Sequence, residues 1–423
     1  MMDFKGLVAD GRNPLQTPSV EAVRAVPTES SQYRTKNRQM EITILPSFYI
    51  LLACPFAVQA DELKLQMLAG EYWWGGLFSV GHETPYDSSA KVSHDMWGNN
   101  KGNQAQPLLL SNKGRYVWSE EPIHYDFDKG RLTVSTRSGK ILSGTQGTNL
   151  REAYRHVSKE FFPSNGMIPE KLLFTHPQYN TWIELMYDQN ERDRWWNGAS
   201  ACLDLSNPKA REWFQSRLDH LVDEYGVDGF KFDAGDADFY GKGVVSLSPV
   251  ASPNDHSAYF AQIGLHYPLN EFRASWKMAG LPLAQRLRDK GHEWGDLAKL
   301  IPDLLSQSVM GYAYTCPDMI GGGEYRSFLS TDKIDEELVV RSAQVHALMP
   351  MMQFSVAPWR ILSKENNTIC LEMAKLHQEM GDKILSLAKE ASKSGEPIVK
   401  PMAMTFPEGG YNPSRTSLSW VTP

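Results

Sequence analysis

The stretch of this chain richest in chemistry runs Gly226-Val227-Asp228-Gly229-Phe230-Lys231-Phe232-Asp233-Ala234-Gly235-Asp236. A short apolar strand, Gly229 to Asp233, ends there in carboxylates. Alternation along a strand sends Lys231 and Asp233 to one side, Phe230 and Phe232 to the other. A lysine on the same face favours the ionised form of Asp233, as a carboxylate nucleophile requires. If the strand belongs to a parallel barrel, its C-terminal end is where such barrels carry their chemistry. The plainer reading of the same residues is an acidic strand-to-loop junction with no chemistry.

The elements that must position this strand are legible around it. Lys209 to Tyr225 reads as a helix, with Asn207 as N-cap, Pro208 in the first turn and Gly226 closing it. Trp213, Phe214, Leu218, Leu221, Val222 and Tyr225 share one apolar face. A helix followed by a short apolar strand is the repeat of a parallel α/β sheet or barrel. Further strands are expected at Asn180–Leu185, Tyr267–Arg273, Gly311–Cys316, Met349–Phe354 and Ile398–Met404. Helices are expected at Pro282–Arg288, Leu297–Ser308, Ile334–Ala347 and Leu371–Ser392. That order fits a (β/α) barrel over 166–423.

Residues 61–165 have a different character. Short alternating runs such as Tyr116–Ser119, Ile123–Phe127 and Arg131–Ser135 are separated by Gly, Asn, Asp and Ser. They predict an antiparallel β-sandwich. Residues 1–60 read as a disordered leader. Within it, Ile42 to Ala60 is mostly apolar, follows three basic residues and ends Val58-Gln59-Ala60, the pattern of a signal segment. Leu51-Leu52-Ala53-Cys54 resembles a lipoprotein box. A secreted, periplasmic or membrane-lipoprotein location is the expectation.

The 423 residues carry 43 Lys+Arg against 50 Asp+Glu, which argues against nucleic acid as the main partner. The 12 tryptophans suit a large core and equally suit a sugar site, where indole stacks on pyranose faces. The four cysteines are far apart, so a zinc site or disulfide framework is not expected. HExxH, P-loop, GxGxxG and GxSxG patterns are absent, and neither a metal nor a cofactor is expected.

Six stretches together resemble glycoside hydrolase family 31. They are Thr181–Leu185, Arg194-Trp195-Trp196-Asn197-Gly198, Gly229–Asp233, Arg273-Ala274-Ser275-Trp276-Lys277, Cys316-Pro317-Asp318-Met319-Ile320-Gly321-Gly322 and Ala357-Pro358-Trp359. The galactosidase-like branch is the most similar. The resemblance implies an N-terminal β-sandwich, a (β/α)8 barrel of the TIM type, and metal-free hydrolysis of terminal α-glycosidic bonds with retention. It makes Asp233 the nucleophile. It makes Trp196 the aromatic wall, with Lys231, Arg273 and Asp318 as substrate-binding residues. Asp296, in Trp294-Gly295-Asp296, mimics the string that carries the acid/base in other branches. The family's spacing, 16 residues after the pocket arginine and 22 before the glycine opening the next strand, lands on Asp289 both ways. Asp289 is therefore the expected acid/base, with a dry setting near Trp294 to keep it protonated. The implied ligand is an oligosaccharide or glycoside.

The chain departs from the family pattern in three places. Leu185 and Gly229 are 44 positions apart, too few for the two intervening strands, one of which carries an aspartate pair in the family. The barrel is expected to lack those two strands, and the C-terminal β-domains as well. Gln353 and Ser355 stand where an arginine and a histidine are common. The alternative to an α-glycosidase, perhaps acting on α-galactosides, is thus a catalytically impaired carbohydrate-binding protein on the same scaffold.

Overall fold

Alternating side chains build the first half of the fold. The computed structural model describes residues 60–179, 202–241, 244–248, 252–329 and 334–419. Its first eight strands are β1 Glu62–Gln66, β2 Trp73–Leu77, β3 Val92–Asp95, β4 Ala105–Ser111, β5 Arg115–Ser119, β6 Ile123–Asp128, β7 Arg131–Thr136 and β8 Ile141–Thr145. They form two four-stranded antiparallel sheets, ordered β1-β7-β6-β3 and β2-β4-β5-β8. Between β6 and β7, Lys129 and Gly130 both take positive φ, the geometry a two-residue hairpin turn requires. Ile123, Tyr125 and Phe127 of β6 point inward with Leu132 and Val134 of β7, facing Leu109 and Val117.

Strands β2 and β4 of the second sheet are buried on both faces, while β8 at its edge is largely exposed. Leu109 of β4 faces the sandwich interior, while Leu108 and Leu110 turn outward. Those outward residues meet Leu150, Ala153, Tyr154 and Val157 of helix α1, Leu150–Phe161. This helix was not expected from the sequence. Asn149 caps it, accepting from the Glu152 backbone N–H.

The parallel strands follow. β9, Gln178–Tyr179, pairs with β14, Gln353–Phe354. Between them in sequence, β10 (Gly229–Phe232), β11 (Leu269–Phe272), β12 (Gln285–Arg286) and β13 (Thr315–Cys316) form one parallel sheet in sequence order. Among the described residues the remaining longer helices are α2 Pro208–Tyr225, α3 Asn254–Gly264, α4 Leu300–Val309, α5 Glu336–Ala347 and α6 Lys364–Ser394, besides short turns. The caps of α2 are those expected: the Asn207 side chain accepts from Lys209 N, Pro208 opens the helix, and Gly226 closes it in the left-handed region at φ 66°. A side chain at Gly226 would meet open space, so the backbone angle is what demands glycine there.

Several expectations are corrected. Pro282–Arg288 is not a helix; it contains β12, which pairs with β11 and β13. Leu, Ala, Gln and Arg favour helix locally. Buried pairing on both sides overrides that preference. Ile398–Met404 is only a two-residue strand, Lys400–Pro401, pairing antiparallel with Leu418–Ser419 before a helical turn. Of the apolar face of α2, Leu218 alone is buried, and Trp213 is 57% exposed. The expected strand Asn180–Leu185 and Trp196 lie outside the described residues, as do residues 186–201 of the interval behind the missing-strand expectation and nearly all of the leader.

Two fully buried imidazoles couple the fold to pH. His377 on α6 touches the Ala347 carbonyl, and burial pushes its pKa down to about 4. Burial also lowers His346 on α5. A depressed imidazole binds its proton more weakly when folded. The fold is therefore fully stable above the ordinary value and loses stability as pH falls from about 6.5 toward 4. For His377 the loss at pH 4 is on the order of 3 kcal/mol. Urea unfolding of His377→Phe should show a flatter stability curve between pH 7 and 4 than wild type.

Candidate functional site

The C-terminal ends of four adjacent parallel strands bring the charged residues together. Register fixes the layers. Lys231 of β10 lies opposite Glu271 of β11, and Phe232 opposite Phe272. Asp233 and Arg273 follow these pairs directly. Phe232 and Phe272 stack at 4.7 Å beneath the site, and the polar residues alternate with them.

Asp233 is held through one oxygen. Its Oδ1 accepts from Arg273 Nε at 2.8 Å, Arg286 Nη2 at 3.2 Å and its neighbour Ala234 N at 2.9 Å. Oδ2 has no hydrogen-bond partner among the described residues, and the side chain is 55% exposed. Partial desolvation of the carboxyl acts to raise its pKa, but the charges of Arg286 and then Arg273 outweigh it and hold Asp233 well below the usual carboxylate range. Asp233 thus presents an anionic oxygen to which no described residue donates.

Arg286 was not singled out from the sequence. Its guanidinium is 1% exposed and uses all three nitrogens. Nη2 donates to Asp233; Nη1 donates to Asp289 Oδ1 at 2.6 Å and to Asp318 Oδ1 at 3.2 Å; Nε pairs with Glu271 Oε1 at 3.3 Å. The two predicted catalytic acids therefore rest on the two terminal nitrogens of one planar group. Asp289 is 39% exposed, and its Oδ2 is likewise left without a hydrogen bond among the described residues.

The loop that carries Asp289 is clamped by the next residue. Lys290 N donates to Asp318 Oδ2, Lys290 Nζ donates to Asp303 Oδ2 at 2.6 Å, and Lys290 O accepts from Gly323 and Glu324. A Cβ on Gly322 would come within 2.8 Å of the Lys290 carbonyl, so the glycine run is a close-approach turn.

The other expected ligands have specific partners. Arg273 spends four of its five donors: Nε on Asp233, Nη1 on Asp236 Oδ1 and Gly102 O, and Nη2 on Asp236 Oδ2. Lys231 does not reach Asp233. It donates to Gln353 Oε1 at 2.8 Å and pairs with Glu271 at 3.0 Å, one layer below, so the arginines supply the charge that the sequence assigned to the lysine. Asp318 is fully buried and grips Arg286 and Lys290 N rather than facing the opening. Its backbone sits at φ 98°, strained for a residue with a Cβ, and His346 lies against its carbonyl. Burial and the nearby Asp289 charge shift its pKa upward against the pull of Arg286. Trp196 lies outside the described residues.

Asp296 takes no part in this cluster. It accepts from Gly291 N and Lys299 Nζ. Trp294 is half-exposed, and its indole N–H donates to Asp335. The missed residues, Arg286 and Glu271, carried a weak signal. Glu271 stands two before Arg273 as Lys231 stands two before Asp233, a charge inside an apolar strand.

Residues 156–280 match the family profile described as "Glycosyl hydrolases family 31 TIM-barrel domain". The chain is 35% identical over 218 residues to the myogenesis-regulating glycosidase of Mus musculus, covering 49% of this chain and 30% of that protein. It is 28% identical over 217 residues to the SITS-binding protein of Tetronarce californica, covering 50% and 31%. The matches thus span about a third of the length of these curated relatives. Among solved structures, the cycloalternan-degrading enzyme from Trueperella pyogenes in complex with isomaltose aligns with a TM-score of 0.66 at 12% identity. That alignment covers 84% of this chain and 71% of that one, a likeness of fold.

Proposed function

We propose that this chain, whose residues 156–280 match the family 31 TIM-barrel profile, hydrolyses terminal α-linked sugars with retention of configuration, using Asp233 as nucleophile and Asp289 as acid/base. The observation that carries this reading is the sharing of Arg286 by both carboxyls, each with one oxygen that accepts no hydrogen bond from the described residues. In the first step Asp233 Oδ2 attacks the anomeric carbon while its Oδ1 stays locked by two arginines and a backbone N–H. The bond to the leaving oxygen breaks as Asp289 delivers a proton to it. In the second step Asp289 takes a proton from water, which attacks the anomeric carbon from the face the leaving group vacated and displaces the Asp233 carboxylate. This route needs the two carboxyl groups about 5–5.5 Å apart, against about 6.5–9.5 Å for inversion.

Lys231, Arg273 and Trp196 are the proposed sugar contacts, with α-galactosides as the first class to test. Purified protein should release nitrophenol from aryl α-galactoside or α-glucoside, and proton NMR should show the α-anomer forming first. Release of the β-anomer first would reject the mechanism. Absence of turnover on every aryl α-glycoside, with sugar binding retained, would replace it with a carbohydrate-binding role.

A further inference from the structure

We propose that Glu271 is a positioning residue that aims the Arg286 fork, and through it sets the separation of the two reacting carboxyls. The inference rests on the proposed glycosidase reading and adds a residue to it. Glu271 sits on β11 with its side chain 5% exposed. Its partners come from three other strands: Lys231 of β10, Arg286 of β12 and Gln353 of β14, whose Nε2 donates to Glu271 Oε2.

The geometry makes the role directional. A guanidinium is planar, so fixing its Nε edge fixes where both terminal nitrogens point. Glu271 Oε1 faces Nε from the layer below as an ion pair at 3.3 Å without hydrogen-bond geometry, so its hold on that edge is electrostatic. The terminal nitrogens then face upward to Asp233 and Asp289. Lys231, which shares the same Glu271 oxygen, and Gln353, which binds both Lys231 and Glu271, hold the carboxylate against rotation. No atom of Glu271 needs to touch the sugar. Removing its charge leaves Arg286 attached to the three aspartates and the Leu287 carbonyl, free to follow whichever aspartate holds it best.

The test uses the full chain with Glu271→Gln, which keeps the shape, and Glu271→Asp, which keeps the charge one methylene short. For Glu271→Gln the expected result is a fall in kcat of about 10²-fold, because displacement by about 1 Å at the reacting groups costs that much. KM should change far less. Glu271→Asp should recover part of the loss. A crystal structure of Glu271→Gln should show Arg286 rotated off Asp233 or Asp289. Wild-type kcat in either variant overturns the proposal, as does an Arg286 fork unmoved in the crystal. If Glu271→Gln fails to fold, kcat and the crystal structure of Glu271→Asp decide in the same way. If wild type shows no turnover, the glycosidase reading fails by itself, and the position of Arg286 in the variant crystal still decides this inference.

Discussion

Asp233→Ala should lower kcat/KM for aryl α-glycosides by on the order of 10⁴-fold or more, as loss of a covalent nucleophile does. Asp289→Ala should depend on the leaving group. Its loss should be severe for sugars with poor leaving groups and small for a dinitrophenyl glycoside, which needs no proton to depart. Azide then separates the roles. In Asp289→Ala, azide should capture the glycosyl-enzyme and give the α-glycosyl azide. In Asp233→Ala it should attack from the vacated side and give the β-azide. The structure leads to a sharp third arm. Asp296 is tied to Gly291 and Lys299, away from Arg286. Asp296→Ala should therefore keep turnover within about tenfold of wild type and form no azide product. A β-azide from Asp289→Ala, or an α-azide from Asp296→Ala, would exchange the assignments.

Arg286→Met should be the most damaging substitution outside the two acids. Removing one member of a buried ion-pair set leaves uncompensated charge, at a cost of about 3–5 kcal/mol. Glu271, Asp318, Asp233 and Asp289 all lose a partner at once. The pH dependence has a definite sign. Asp233 is depressed when folded, so its contribution is present above the ordinary carboxylate value near 3.9 and is lost as pH falls through the depressed value. Asp318 is raised, so its contribution is present below about 3.9 and is lost as pH rises through its folded value. Arg286 favours the ionised form of both. Without it, Asp233 stabilises the fold less and Asp318 costs more, and both changes act above pH 4. Urea unfolding should therefore show a wider gap between wild type and Arg286→Met at pH 8 than at pH 4. A gap independent of pH would mean that Arg286 acts through packing alone.

The sequence disclosed what is written locally. Helix α2 was legible because Asn207, Pro208 and Gly226 each act within one turn of the backbone. The alternation of Lys231 and Asp233 against two phenylalanines was legible because it needs only a strand. What crosses between strands was hidden. Nothing local pairs Lys231 with Glu271 instead of Asp233; the parallel register does that. Arg286 was lost for a further reason. Its segment, Pro282 to Arg288, is composed of helix formers, and only pairing with β11 and β13 makes it a strand. The spacing that singled out Asp289 named a position three residues from the guanidinium that holds it, without revealing the guanidinium.

The connection from Arg273 to Ala284 contains no helix, although it joins two parallel strands. The sandwich takes the helix's place there. Ala105, at the start of β4, donates to Ser275 O and accepts from Lys277 N, and Trp276 enters the sandwich core. Gln104 reaches further, donating to the carbonyls of Phe272 and Arg286. The boundary drawn at residue 165 is thus not a line along which this protein can be cut. A barrel expressed alone would expose a tryptophan and two strand ends, and a transplanted sandwich would leave with part of another fold's wall.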